Sequence, residues 1–107
     1  MHYKIAFYLP ATHCELVKNA LFAVGAGQSE LYDQCSWQIL GEGQFRPLKG
    51  SRPFQGNPMQ LESIPEYKIE MICAPHLIKI VIETLLKEHP YEQPAYEIYP
   101  ILTLKDL

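Results

Sequence analysis

Cysteine is scarce in this 107-residue sequence, basic charge is not in excess, and no long apolar run occurs. The three cysteines, Cys14, Cys35 and Cys73, are odd in number and widely spaced. A small secreted domain stapled by disulfides would be dense in cysteine, with an even count. The expectation is therefore a reducing, cytoplasmic setting. Nine Lys and Arg against twelve Asp and Glu leave a net charge of −3, and the basic residues are scattered. Nucleic-acid binding, which needs a basic patch, is not expected. No segment approaches the roughly 18 apolar residues of a membrane span. The first ten residues, MHYKIAFYLP, lack the apolar run and cleavage site of a signal peptide. A soluble protein, with no membrane association, is the expectation.

What is present is a balanced globular composition, 48% hydrophobic and 20% charged, at a length that suits one domain over residues 1–107. Residues 3–9 alternate, with Tyr3, Ile5 and Phe7 on one side and Lys4, Ala6 and Tyr8 on the other, and Pro10 ends this strand. Thr12-His13-Cys14-Glu15 has the spacing of a capping box. Leu16, Val17, Ala20, Leu21 and Val24 then form a helical stripe, which Gly25-Ala26-Gly27 closes. Residues 31–40, with Tyr32, Cys35, Trp37 and Ile39, predict a second strand. Gly41-Glu42-Gly43 is expected as a turn or bulge before extended structure resumes at Gln44-Phe45-Arg46. Residues 49–58 contain Gly50, Pro53, Gly56 and Pro58 without periodicity, a long loop.

Tyr67 to Cys73 alternates as a third strand. Pro75 suits the first turn of a second helix, whose apolar face is Leu77, Ile78, Val81, Ile82, Leu85 and Leu86 and which His89-Pro90 ends. Residues 95–101 form a last strand, and Pro94 and Pro100 mark it as an edge. The order βαββαβ predicts an α+β, ferredoxin-like domain, a four-stranded antiparallel sheet with two helices on one face. The other face would be open and carry tyrosines, inviting another copy.

Candidate chemistry is sparse. His89 and Glu92, joined by His13 or His76, could ligate a divalent metal, but two ligands fall short of a normal set. The competing reading has His89 interacting with the last carbonyls of its helix while Pro90-Tyr91-Glu92 turns. Cys35 has no base beside it in sequence and is read as packing in a strand. Cys14 is the better candidate for reactivity, because a helix N-terminus lowers a thiol's pKa. Gly41-x-Gly43 lacks the following helix and the Lys-Ser/Thr of a phosphate loop. No catalytic residue, resident metal or cofactor is assigned. Trp37 and Phe45 are read as core or interface aromatics, and Tyr96 joins them as an interface candidate. The loop near Arg46, Lys49 and Arg52, and the turn holding His89, Tyr91 and Glu92, are the candidate ligand surface.

Three stretches carry a family resemblance: Tyr32-Asp33-Gln34-Cys35-Ser36-Trp37; Gly41-Glu42-Gly43-Gln44-Phe45-Arg46-Pro47 with Gly50, Pro53 and Gly56; and His89-Pro90-Tyr91-Glu92-Gln93-Pro94-Ala95-Tyr96-Glu97. Together they resemble the inserted domain of the Nif-three-like proteins of YqfO type. The His-Pro-Tyr-Glu-x-Pro segment is also similar to CutA, the divalent-cation-tolerance family. The resemblance implies a ferredoxin-like domain related to CutA and the PII signal proteins, assembled as a homotrimer through its sheets. By analogy, PII-like folds bind ligands in clefts between subunits beside such loops. The dinuclear metal site of full-length Nif-three-like proteins lies on flanking domains, so its hydrolase or cyclohydrolase activity is not expected here. The expectation is a stand-alone, non-catalytic binding or regulatory domain with an unidentified small-molecule ligand, and a divalent metal ion bound through His89 and Glu92 is the alternative.

Overall fold

A computed structural model describes residues 1–107. The elements run β1 (His2–Leu9), α1 (Cys14–Ala23), β2 (Trp37–Phe45), β3 (Glu62–Cys73), α2 (Ile78–Glu88) and β4 (Tyr96–Ile101). The sheet order is β2-β3-β1-β4, antiparallel throughout. This is the ferredoxin-like βαββαβ arrangement the sequence predicts.

Side chains alternate across a strand, so the register sorts the sheet into two faces. Ile5, Phe7 and Leu9 of β1 join Ile69, Met71 and Cys73 of β3 under the helices, which contribute Cys14, Val17 and Leu21 from α1 and Val81 and Leu85 from α2. Each fully buried aliphatic side chain stabilises the fold by about 1.5–3 kcal/mol. The opposite face holds Lys4, Ala6 and Tyr8, Lys68 and Glu70, Trp37 and Ile39, and Glu97 and Tyr99. No helix covers it. Trp37, Ile39 and Tyr99 are 57%, 52% and 46% exposed.

Several local expectations are corrected. No side chain caps α1: the Thr12 hydroxyl meets His13 Nδ1 at 2.9 Å, and Glu15 reaches Lys18. Pro10 starts a 3₁₀ turn over Ala11–His13 that shifts the helix entry past Thr12. The buried stripe begins at Cys14, while Leu16 is exposed. Residues 31–36 are not strand. A turn in which the Ser29 amide donates to the Tyr32 carbonyl precedes β2, and the Cys35 amide donates to Gly27.

Gly41 and Gly43 do not interrupt β2 either. They pair one-to-one with Glu66 and Ile64, and a side chain at Gly43 would collide with the Glu66 carboxylate. β3 starts five residues earlier than Tyr67 and passes through Pro65. That stretch pairs with β2 alone, because β1 reaches only to Tyr67, and proline is tolerated where one strand edge is free. The β2–β3 hairpin therefore projects past β1.

Candidate functional site

Where the hairpin outruns β1, the long loop after β2 and the turn after α2 close over the sheet and leave an open cleft of about 840 Å³. Every strand supplies a wall residue: Tyr8 from β1, Phe45 from β2, Glu66 from β3 and Glu97 from β4. By register all four belong to the open face. The loop adds Arg46, Lys49 and Phe54, and the turn adds Tyr91 and Glu92. The volume falls in the range of small-molecule sites, about 300–1,000 Å³.

Two tyrosine–carboxylate pairs form its polar floor. The Tyr8 hydroxyl donates to Glu97 Oε1 at 2.9 Å, and the Tyr91 hydroxyl donates to Glu66 Oε2 at 3.1 Å. Burial, reinforced by the Glu97 bond and charge, pushes the Tyr8 phenol up to about 12. Burial and then the Glu66 charge push Tyr91 up as well. Both phenols are therefore donors throughout the physiological range. Glu97 Oε2 is buried and has no hydrogen-bond partner. The third carboxylate, Glu92, accepts the Arg52 backbone amide at 2.8 Å. The ion pairs of the structure join Met1 to Asp106, Lys4 and Lys68 to Glu70, and Lys18 to Glu15. The cleft carboxylates thus meet neutral donors, while Arg46 and Lys49 stand unpaired and exposed.

His89 fixes the turn. It is 6% exposed, its Nδ1 accepts the Tyr91 amide at 3.1 Å, and its Nε2 lies 2.6 Å from the Tyr8 carbonyl. An amide can only donate, so Nδ1 is the acceptor and Nε2 carries the proton toward the carbonyl. Burial, aided by the nearby His13 charge, lowers the His89 pKa against the raising effect of the Tyr8 bond. The loop is fixed by ring packing. Phe54 lies edge-on to His13 at 5.3 Å and 6.2 Å from Tyr91, which packs on His89 at 4.6 Å.

Of the sequence-predicted ligand surface, Arg46, Lys49, Tyr91 and Glu92 are brought together in the cleft. His89 supports it from behind. Arg52 contributes its backbone amide to Glu92. Both His89 nitrogens are engaged within the chain, and no group of three or more His, Cys, Asp or Glu is placed to hold a metal ion. The carbonyl that His89 meets is also that of Tyr8, not one at the end of its own helix. Cys14 is not activated, since burial raises its thiol. Trp37 and Phe45 lie on the open face, but Tyr96 pairs with Phe7 and so belongs to the helix side, at the β4 edge. Sequence reasoning missed Tyr8, Glu66, Glu97 and Phe54. Alternation puts Tyr8 and Glu97 opposite the core-facing residues, but their proximity needs the β1–β4 pairing, which no local pattern encodes.

No family model matches the chain. It is 39% identical over 99 residues to a GTP cyclohydrolase 1 type 2 homolog of Halalkalibacterium halodurans, covering 92% of this chain and 27% of that protein. The corresponding protein of Bacillus subtilis is 40% identical over 98 residues, covering 92% and 26%. The chain thus spans about a quarter of the length of the curated relatives it matches. A Bacillus cereus protein related to NIF3 superposes with a TM-score of 0.81 at 36% identity, over 94% of this chain and 25% of that one. CutA from Archaeoglobus fulgidus gives 0.71 at 18% identity over 99% and 90%, and Bacillus subtilis GlnK, solved as an ATP complex, gives 0.62 at 15% over 94% and 83%. The chain is homologous to one segment of the NIF3-related proteins and has the CutA/PII-like fold.

Proposed function

From homology to a quarter-length segment of the NIF3-related proteins, we propose that this chain is a non-catalytic, self-associating binding domain. Its ligand is a small molecule held in the cleft between residues 44–55 and 91–97. The observation that carries this reading is the convergence of two remote segments on one cavity: Arg46 and Lys49 from one loop, Tyr91 and Glu92 from another. Nothing in the core requires that convergence, since the packed cluster is formed by β1, β3 and the two helices together with Ala26. The solved GlnK–ATP complex, alike in fold, supports a ligand-binding use of such a domain.

Self-association, with a trimer favoured, draws support from the uncovered sheet face and from the free outer edges of β2 and β4. Unpaired strand edges and exposed apolar faces are both sites where further chains pair. In the cleft wall the Ser51 hydroxyl donates to the Leu48 carbonyl rather than to a base, and burial holds the Tyr8 and Tyr91 phenols protonated, which supports binding without catalysis.

The test is chemical-shift mapping on the isotopically labelled chain against a panel of small amines, nucleotides and carboxylic acids. At least one class is expected to shift amides of residues 44–55 and 91–97 together. Shifts elsewhere only, or none with any class, contradict the reading.

A further inference from the structure

We propose that the cleft takes a small organic cation carrying N–H donors, a primary ammonium or a guanidinium, seated against Glu97. This rests on the cleft being a ligand site and adds the ligand's chemical class.

Glu97 is half satisfied. Its Oε1 accepts the Tyr8 hydroxyl, while Oε2 is buried without a partner. A phenol has a single proton, so Tyr8 cannot serve both oxygens. Leaving such an acceptor buried and unpaired costs on the order of 1–3 kcal/mol, more when the group is charged. Oε2 is closed to solvent as it stands, so an occupant reaches it through a rotation of the Glu97 carboxylate, and the hydrogen bond it then donates removes that cost.

The surroundings select a cation. Three carboxylates, Glu66, Glu92 and Glu97, line the cleft, and no Lys or Arg side chain neutralises any of them. The two cations of the wall, Arg46 and Lys49, are exposed in the long loop. Four aromatic rings, Tyr8, Phe45, Phe54 and Tyr91, complete the lining, and aromatic faces attract cations within about 6 Å of the ring centre. A bare metal ion lacks its third protein ligand here, and the space greatly exceeds its need. A quaternary ammonium would satisfy the rings but not Oε2. The N–H-bearing cation satisfies both.

Isothermal titration of the full chain with agmatine, hexamethonium and inorganic pyrophosphate tests this. Agmatine is expected to bind, and hexamethonium, a bis-quaternary dication without any N–H or O–H donor, to bind about tenfold more weakly or worse, the loss of roughly one charge-assisted hydrogen bond. Glu97→Gln should weaken agmatine by about tenfold and Glu66→Gln by less. Pyrophosphate should be silent. Pyrophosphate heat with agmatine silent overturns the ligand class while leaving the cleft a binding site, and silence of all three probes overturns this class as well. Agmatine affinity unchanged in Glu97→Gln also overturns it. If Glu97→Gln does not fold, equal affinities of agmatine and hexamethonium for the native chain do so instead.

Discussion

Tyr91 and Glu66, 25 residues apart in sequence, meet across the cleft through a hydrogen bond of 3.1 Å from the phenol to Oε2. This contact ties the turn after α2 to the projecting β2–β3 hairpin. Gly43 makes it geometrically possible, because the Glu66 carboxylate occupies the space a side chain there would fill. Gly43→Ala is expected to push Glu66 aside at little cost, since the end of a flexible side chain moves easily. Stability in urea should change by less than about 1 kcal/mol. The Tyr91 phenol should then ionise at lower pH than in the native chain, which a phenolate absorbance titration checks.

The same titration has a second reading. Of the seven tyrosines, Tyr8 ionises at about 12 rather than at the ordinary 10, and Tyr91 is also raised. A folded-state pKa above the unfolded one gives stability that is complete below pH 10 and lost as pH rises through about 12. Stability should therefore fall across that interval. Tyr8→Phe should reduce the fall and lower stability at neutral pH by about 1–2 kcal/mol, because Glu97 then loses its donor.

His89 works in the opposite direction. Its pKa is lowered in the fold, so the stability it supplies is present above its ordinary value of 6.5 and lost as pH falls through the folded value. Protonation would set an N–H of the ring against the Tyr91 amide. Denaturant melts are expected to weaken below about pH 6.5, and less steeply in His89→Gln. His89→Ala, which strands the Tyr8 carbonyl and the Tyr91 amide, should cost about 2–4 kcal/mol at neutral pH.

Gly27 has a φ of +73°, and a side chain there would meet the Cys35 carbonyl, which is fixed backbone. Its amide bonds Ile72 and its carbonyl receives the Cys35 amide, both at 2.8 Å. Gly27→Ala should destabilise by about 2 kcal/mol or more, measured by thermal or urea unfolding.

These residues also show what the sequence carried. The β-alternation of Ile5 and Phe7, the stripe of Val81 and Leu85, and the glycines after α1 each act locally, and each was legible. The strand through Gly41 and Gly43 was not, because those glycines answer to Glu66 on another strand. Thr12 looked like a cap but was pre-empted by the turn that Pro10 starts. In the cleft, Arg46, Lys49, Tyr91 and Glu92 stood out through loop chemistry and motif. Tyr8, Glu66 and Glu97 looked like ordinary outward strand residues until register and hairpin length brought them under the loops. His89 stands out in the sequence for its imidazole, yet its role follows from Tyr8, 81 residues away.

Self-association is the part of this account on which the reading of the open face depends. Trp37→Asp is expected to lower the mass of the particle and leave the circular dichroism unchanged, because Trp37 is 57% exposed and lies outside the core. The most direct test is the molar mass of the native chain by light scattering at micromolar concentration. The expected mass is about 37 kDa, three copies of the 12.3 kDa chain. A sharp, concentration-independent species of one chain's mass would contradict it.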